Sequence, residues 1–122
     1  MKNIVSILAL LLVLAAACSD DDDDETSFDK ANLLGSWLRT STTIAGACEE
    51  ETDTFSSNQL TIDFVCNGME VQETFQYTFD GKAVTLTGEG ISATVITLTS
   101  TSMVLDMYDQ GTKAGRATYD KL

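Results

Sequence analysis

From Gln59 to the C-terminus, apolar and polar residues alternate along most of the chain. "QLTIDFVC" sets Leu60, Ile62, Phe64 and Cys66 on one face. "MEVQETFQYTF" sets Met69, Val71, Phe75, Tyr77 and Phe79 on one face, with Glu73 the one charge among them. A period of two is the mark of a half-buried strand. "AVTLT", "ISATVITLT", "MVLDMY" and "RATYDKL" continue the pattern. Asn67-Gly68 and Asp80-Gly81 are two-residue hairpin signals, while Gly88-Glu89-Gly90 and Ser100-Thr101-Ser102 mark further turns. A first strand is expected from about Ser36 to Ile44, followed by a long loop from Ala45 to Ser57. Ahead of it, "SFDKANLLGSW" reads as one or two helical turns, with Ser27 as cap and Gly35 as terminator. The count is seven strands, or eight if a long one breaks. Short connections make an all-β, antiparallel up-and-down meander, closed or nearly closed into a small barrel.

One apolar stretch does not alternate. Ile4 to Ala17 is apolar apart from Ser6, follows a short basic start at Lys2 and ends in Ala15-Ala16-Ala17. That is the layout of a secretory signal peptide; a spanning helix would need about 20 apolar residues. "LAAAC" resembles the lipobox of bacterial lipoproteins, with Ala15 where Leu is usual and Leu14 one step earlier. The resemblance implies that Cys18 is lipidated and becomes the first mature residue, holding the protein to a membrane. Asp20 to Glu25 repel one another and read as a solvated tether. An acidic run at this place also resembles the signal that exports lipoproteins of some Gram-negative bacteria to the cell surface. Ser19, not Asp, follows the cysteine, so the inner-membrane retention signal is absent. The expected location is therefore the outer membrane, lipid-anchored, at the cell surface. Residues 1–17 read as signal peptide, 18–26 as lipidated cysteine and tether, and 27–122 as one β-barrel domain.

Composition narrows the chemistry. The chain carries 19 acids against 7 bases, a net charge of −12, and no histidine. Such a surface disfavours nucleic acid and anionic lipid as partners. The lack of histidine removes the commonest general base and metal ligand. Of three cysteines, Cys18 is assigned to the lipid. Cys48 and Cys66 then pair by default in an exported, oxidising setting; a two-cysteine metal site is the weaker alternative, and no metal or cofactor is expected. Glu49, Glu50, Glu51 and Asp53 fall in the long loop, without an apolar context to perturb them, so an enzyme is not expected.

A short helix, then Gly35-Ser36-Trp37, then an antiparallel meander ending in "ATYDKL" resembles the lipocalin-like domains of small bacterial lipoproteins. The likeness spans roughly residues 28–122 and makes 27–122 a lipocalin-like barrel. It implies that Trp37 closes the barrel floor under a cation from the last strand. That cation should be Lys121, because Arg116 lies about 16 Å further along an extended strand. An immunoglobulin-like sandwich is the other fold considered, but its tryptophan lies on a mid-chain strand against the disulfide, whereas Trp37 precedes both cysteines.

Two functions fit such a barrel. One is a binding module for a small apolar or anionic ligand, with Phe75, Tyr77, Phe79 and Tyr119 candidates for the pocket wall. The other is a non-catalytic interaction or structural lipoprotein, its barrel filled by those aromatics, docked on an envelope protein complex. Arg39 bears on the choice. If Trp37 points inward, alternation puts Arg39 inside too. A bulge after Trp37 could turn it out, Glu73 could pair with it, or it could receive the carboxylate of a fatty-acid-like ligand.

Overall fold

The structure, a computed structural model, describes residues 27–122. The signal-like run, Cys18 and the acidic tether lie outside the described residues. One helical turn, α1 (Lys30–Leu33), precedes eight strands: β1 (Gly35–Thr42), β2 (Glu50–Phe55), β3 (Gln59–Cys66), β4 (Met69–Phe79), β5 (Ala83–Leu86), β6 (Ile91–Leu98), β7 (Ser102–Asp109) and β8 (Thr112–Lys121). Each strand pairs antiparallel with the next, and β8 returns to β1, so the sheet closes into an up-and-down barrel. Leu33, Trp37, Met103 and Tyr119 are the largest fully buried side chains, and one apolar cluster runs through the interior. The closed cycle spans Gly35–Lys121 and its core begins at Leu33, so residues 27–122 carry the barrel's fold by themselves.

Three sequence expectations need correction. The helix is capped by Asp29, whose side chain accepts from the Ala31 amide, and not by Ser27. The segment expected as a loop from Ala45 to Ser57 contains β2, and this strand supplies the eighth; no long strand breaks. Acids are poor strand formers in isolation, so "EETDTF" reads as a loop until six paired positions on β3 hold it extended. The last strand begins at Thr112, well before Arg116. Gln110 and Gly111 form a tight turn with φ of 53° and 84°, as Asn67 and Gly68 do with 54° and 80°, the positive-φ pair that suits a twisted hairpin.

The floor forms around Trp37. Its indole Nε1–H donates to the Leu33 carbonyl at 2.9 Å, which fastens the helical turn under the barrel. Trp37 lies opposite Lys121 on β8, and the ammonium sits 4.5 Å from the ring centroid. Gly35 makes room for this: a Cβ there would meet Lys121 Cε at 2.7 Å. Arg116 is occupied elsewhere, forked onto Asp106 on the outer face at 2.7 and 3.1 Å. Tyr77 seals the same end, its ring edge-on to Phe55 at 5.2 Å and its hydroxyl donating to the Ser56 carbonyl.

The opposite end is looser. β5 has four residues and pairs only with Tyr77 to Phe79 of β4. Above Gln76, β4 pairs with β3 alone among the described strands, which leaves Met69 67% and Val71 36% exposed. Their place in the alternation holds, but nothing covers that part of the face. Cys48 and Cys66 are joined by a disulfide at this end, with Cα atoms 4.7 Å apart and a sequence separation of 18. Closing a loop of that size stabilises a domain by about 3 kcal/mol through the unfolded chain's entropy. Replacing both cysteines by serine should lower the urea midpoint by a corresponding amount without changing the far-UV spectrum. An unchanged midpoint would show that the crosslink does not support the fold.

Candidate functional site

Closure forces every second residue of β2 inward, and those residues are Glu51, Asp53 and Phe55. Two carboxylates therefore enter the interior beside the apolar core. They meet the inward residues of the flanking strands. Arg39 Nη1 donates to Glu51 Oε1 at 2.8 Å, with side chains 7% and 16% exposed. Arg39 Nη2 donates to the Cys48 carbonyl, which the neighbouring disulfide holds in place. The Tyr119 hydroxyl donates to Glu51 Oε2 at 3.2 Å. Arg39 and Tyr119 lie directly opposite one another across β1 and β8.

These contacts settle the orientation of Arg39. It points inward, with Leu38 outward. The nearest register shift on β1 falls between Arg39 and Ser41, past the residue it was expected to turn. The partner is Glu51 and not Glu73, which is exposed on β4. A buried arginine must be paired or the desolvation cost is prohibitive, and here both terminal nitrogens are engaged.

Asp53 is different. It is 3% exposed, and its Oδ1 has no hydrogen-bond partner. Burial pushes its carboxyl well above the usual carboxylate range; the adjacent Glu51, through a hydrogen bond and its charge, pushes the same way, and the Tyr119 hydroxyl and Arg39 oppose it only in part. Tyr119 is likewise raised, by burial first and then by the Asp53 and Glu51 charges, so it remains a donor. The wall thus holds an ion pair, a tyrosine donor and an aspartic acid that resists ionisation and has an idle oxygen.

Asp53 belongs to the wall of a cavity of about 230 Å³. Phe55, Leu60, Ile62, Phe64, Phe75 on β4, and Val84, Leu86, Ile91, Ala93, Leu105 and Met107 from β5, β6 and β7 make it mostly apolar. Its polar groups are Glu51, Asp53, Glu73 and Ser92. Exposed Glu73 marks the mouth, beside the stretch of β4 that β5 does not reach. Of the five ligand residues expected from sequence, Phe75 alone lines the cavity, and Phe79 packs against the core. Tyr77 belongs to the floor, Tyr119 is buried behind Glu51, and Arg39 is held by Glu51 and Cys48. Glu51 and Asp53, expected to lie unperturbed in a loop, are the residues sequence reasoning missed. The one trace in the sequence is Thr52 and Thr54, which alternate with them as outward strand residues, too little to mark a strand when the inward residues are acids. Among the described residues, no group of three or more His, Cys, Asp or Glu is placed to hold a metal ion.

A closed eight-stranded meander with a tryptophan floor and one half-open apolar cavity is a lipocalin-like fold. The chain is similar to the crystal structure of a lipocalin-like protein from Bacteroides uniformis ATCC 8492, with a TM-score of 0.57 and 15% identity. The match covers 75% of this chain and 99% of that one, and at this identity the likeness is one of fold. No family model and no curated protein matches the sequence.

The buried acid has a consequence for stability. The unfolded chain ionises Asp53 above about pH 4, whereas the fold holds it protonated at higher pH. Folding therefore takes up a proton, and stability falls as pH rises from that value through the raised folded one. Asp53→Asn keeps the shape and removes the titration. Its melting temperature should exceed that of the natural chain at neutral pH, with the gap closing towards pH 4. Parallel pH curves for the two proteins would contradict the assignment.

Proposed function

We propose that this protein is an outer-membrane lipoprotein, anchored through Cys18 and displayed at the cell surface, whose barrel binds a small apolar molecule. The observation that carries the binding role is the cavity: an apolar wall with one buried, unpartnered polar atom is the form of a ligand site, not of a filled core. The anchoring role rests on the sequence, on "LAAAC" and the acids that follow it. The tether would hold the barrel off the membrane by self-repulsion.

Fluorescence of a neutral apolar probe such as N-phenylnaphthylamine tests the binding role on residues 27–122. The natural barrel should enhance the signal and saturate. Ala93→Phe, which fills the cavity from a position 4% exposed, should abolish saturation in a protein that still melts cooperatively. Saturation unaffected by the plug would remove the cavity from consideration. In cells, labelled palmitate should tag the whole chain and not Cys18→Ala, and protease should shave the barrel from intact cells; label on both chains would remove the anchor.

One observation favours a second reading, docking on an envelope protein. The upper part of β4 is an unpaired edge with Met69 and Val71 exposed, and such edges accept added strands. Val71→Lys would prevent docking and leave probe binding intact.

A further inference from the structure

The cavity wall carries three carboxylates, from Glu51, Asp53 and Glu73, and no lysine or arginine among the described residues. Arg39 does not change that balance. Its terminal nitrogens are spent on Glu51 and the Cys48 carbonyl, and the pair is neutral as a unit. A ligand carboxylate would meet acidic side chains on two sides of the cavity and find no lysine or arginine there to pair with, only the neutral hydroxyl of Ser92. The Asp53 carboxyl is buried, and its Oδ1 has no hydrogen-bond partner, so once ionised it is an acceptor without a counter-ion.

We propose that the cavity takes a small apolar molecule with a protonated amine head, and that the Asp53 carboxylate accepts its N–H. This rests on the reading of the cavity as a ligand site and specifies what that site selects. The apolar tail would lie against Phe64, Phe75 and Met107. Glu73 at the mouth would attract the cation on entry, and the net negative charge of the chain works in the same direction. An ammonium beside Asp53 favours the ionised acid, so binding would drive a proton from Asp53 to solvent. The groups facing Asp53 make this feasible: Glu51 on the same strand, Arg39 from β1, Tyr119 from β8 and Glu73 from β4. Arg39 already neutralises Glu51, so the ammonium becomes the counter-ion that Asp53 lacks.

The test uses residues 27–122 and three probes of equal chain length: octylamine, octanol and octanoate, each displacing N-phenylnaphthylamine. At neutral pH octylamine should bind at least about tenfold more tightly than octanoate, the factor expected for about one charge-assisted hydrogen bond. Its affinity should rise with pH as Asp53 gives up its proton, while that of octanol stays flat. Asp53→Asn should weaken octylamine by about tenfold or more and remove its pH dependence. Octanoate binding as well as octylamine would overturn the amine assignment, as would an unchanged octylamine affinity in Asp53→Asn. Failure of all three probes would instead overturn the ligand site itself. Because the head-group comparison is made on the natural chain, it does not depend on the variant folding.

Discussion

A closed barrel has no neutral position: every second residue of every strand must go inside. On β2 that constraint brings Glu51 and Asp53 out of water, and much of the interior answers to it. Arg39 turns inward to pair with Glu51, against the apolar pattern expected of β1. Tyr119 gives its hydroxyl to the same carboxylate. The Cys48 carbonyl, pinned beside the disulfide, takes the rest of the guanidinium. Asp53, next in line, has no cation left, and burial holds its carboxyl well above the usual carboxylate range.

The two ends of the barrel divide the work. At the floor, Trp37 is hydrogen-bonded to Leu33 and covered by Lys121, and Tyr77 stacks edge-on to Phe55, so the base is packed. Halfway up, packing stops, because β5 ends at Leu86 while β4 runs on to Met69. The short strand leaves part of the interior uncovered, and the acids of β2 occupy one wall of the space that results. Rigidity below and a gap above are what a binding barrel needs, since a preformed pocket avoids the cost of ordering itself around a ligand.

Most of the architecture was legible in the sequence. The alternation in β3 and β4, the Asn67-Gly68 turn and the closing meander follow from period-two patterning and turn chemistry, and Lys121 stands over Trp37 where antiparallel geometry puts it. β2 was not legible, because its inward positions are acidic and the pattern that reveals a strand is apolar alternation. Its strand character comes from pairing with β1 and β3, a tertiary effect that overrides propensity. The same blind spot hid the site. Arg39 was visible as an anomaly, but its partner could not be named while Glu51 was assigned to a loop. The aromatics misled in the other direction: Tyr77 and Tyr119 read as pocket lining, and each is instead committed through its hydroxyl to a structural contact.

The central claim is that β2 turns a protonated aspartic acid into the cavity. Carbon NMR titration of the side-chain carboxyls follows Asp53 directly, assigned by its loss in Asp53→Asn. The account predicts that Asp53 titrates well above the ordinary range near about pH 4, and that saturating octylamine moves its midpoint down. An Asp53 that titrates in the ordinary range in the free protein would contradict it.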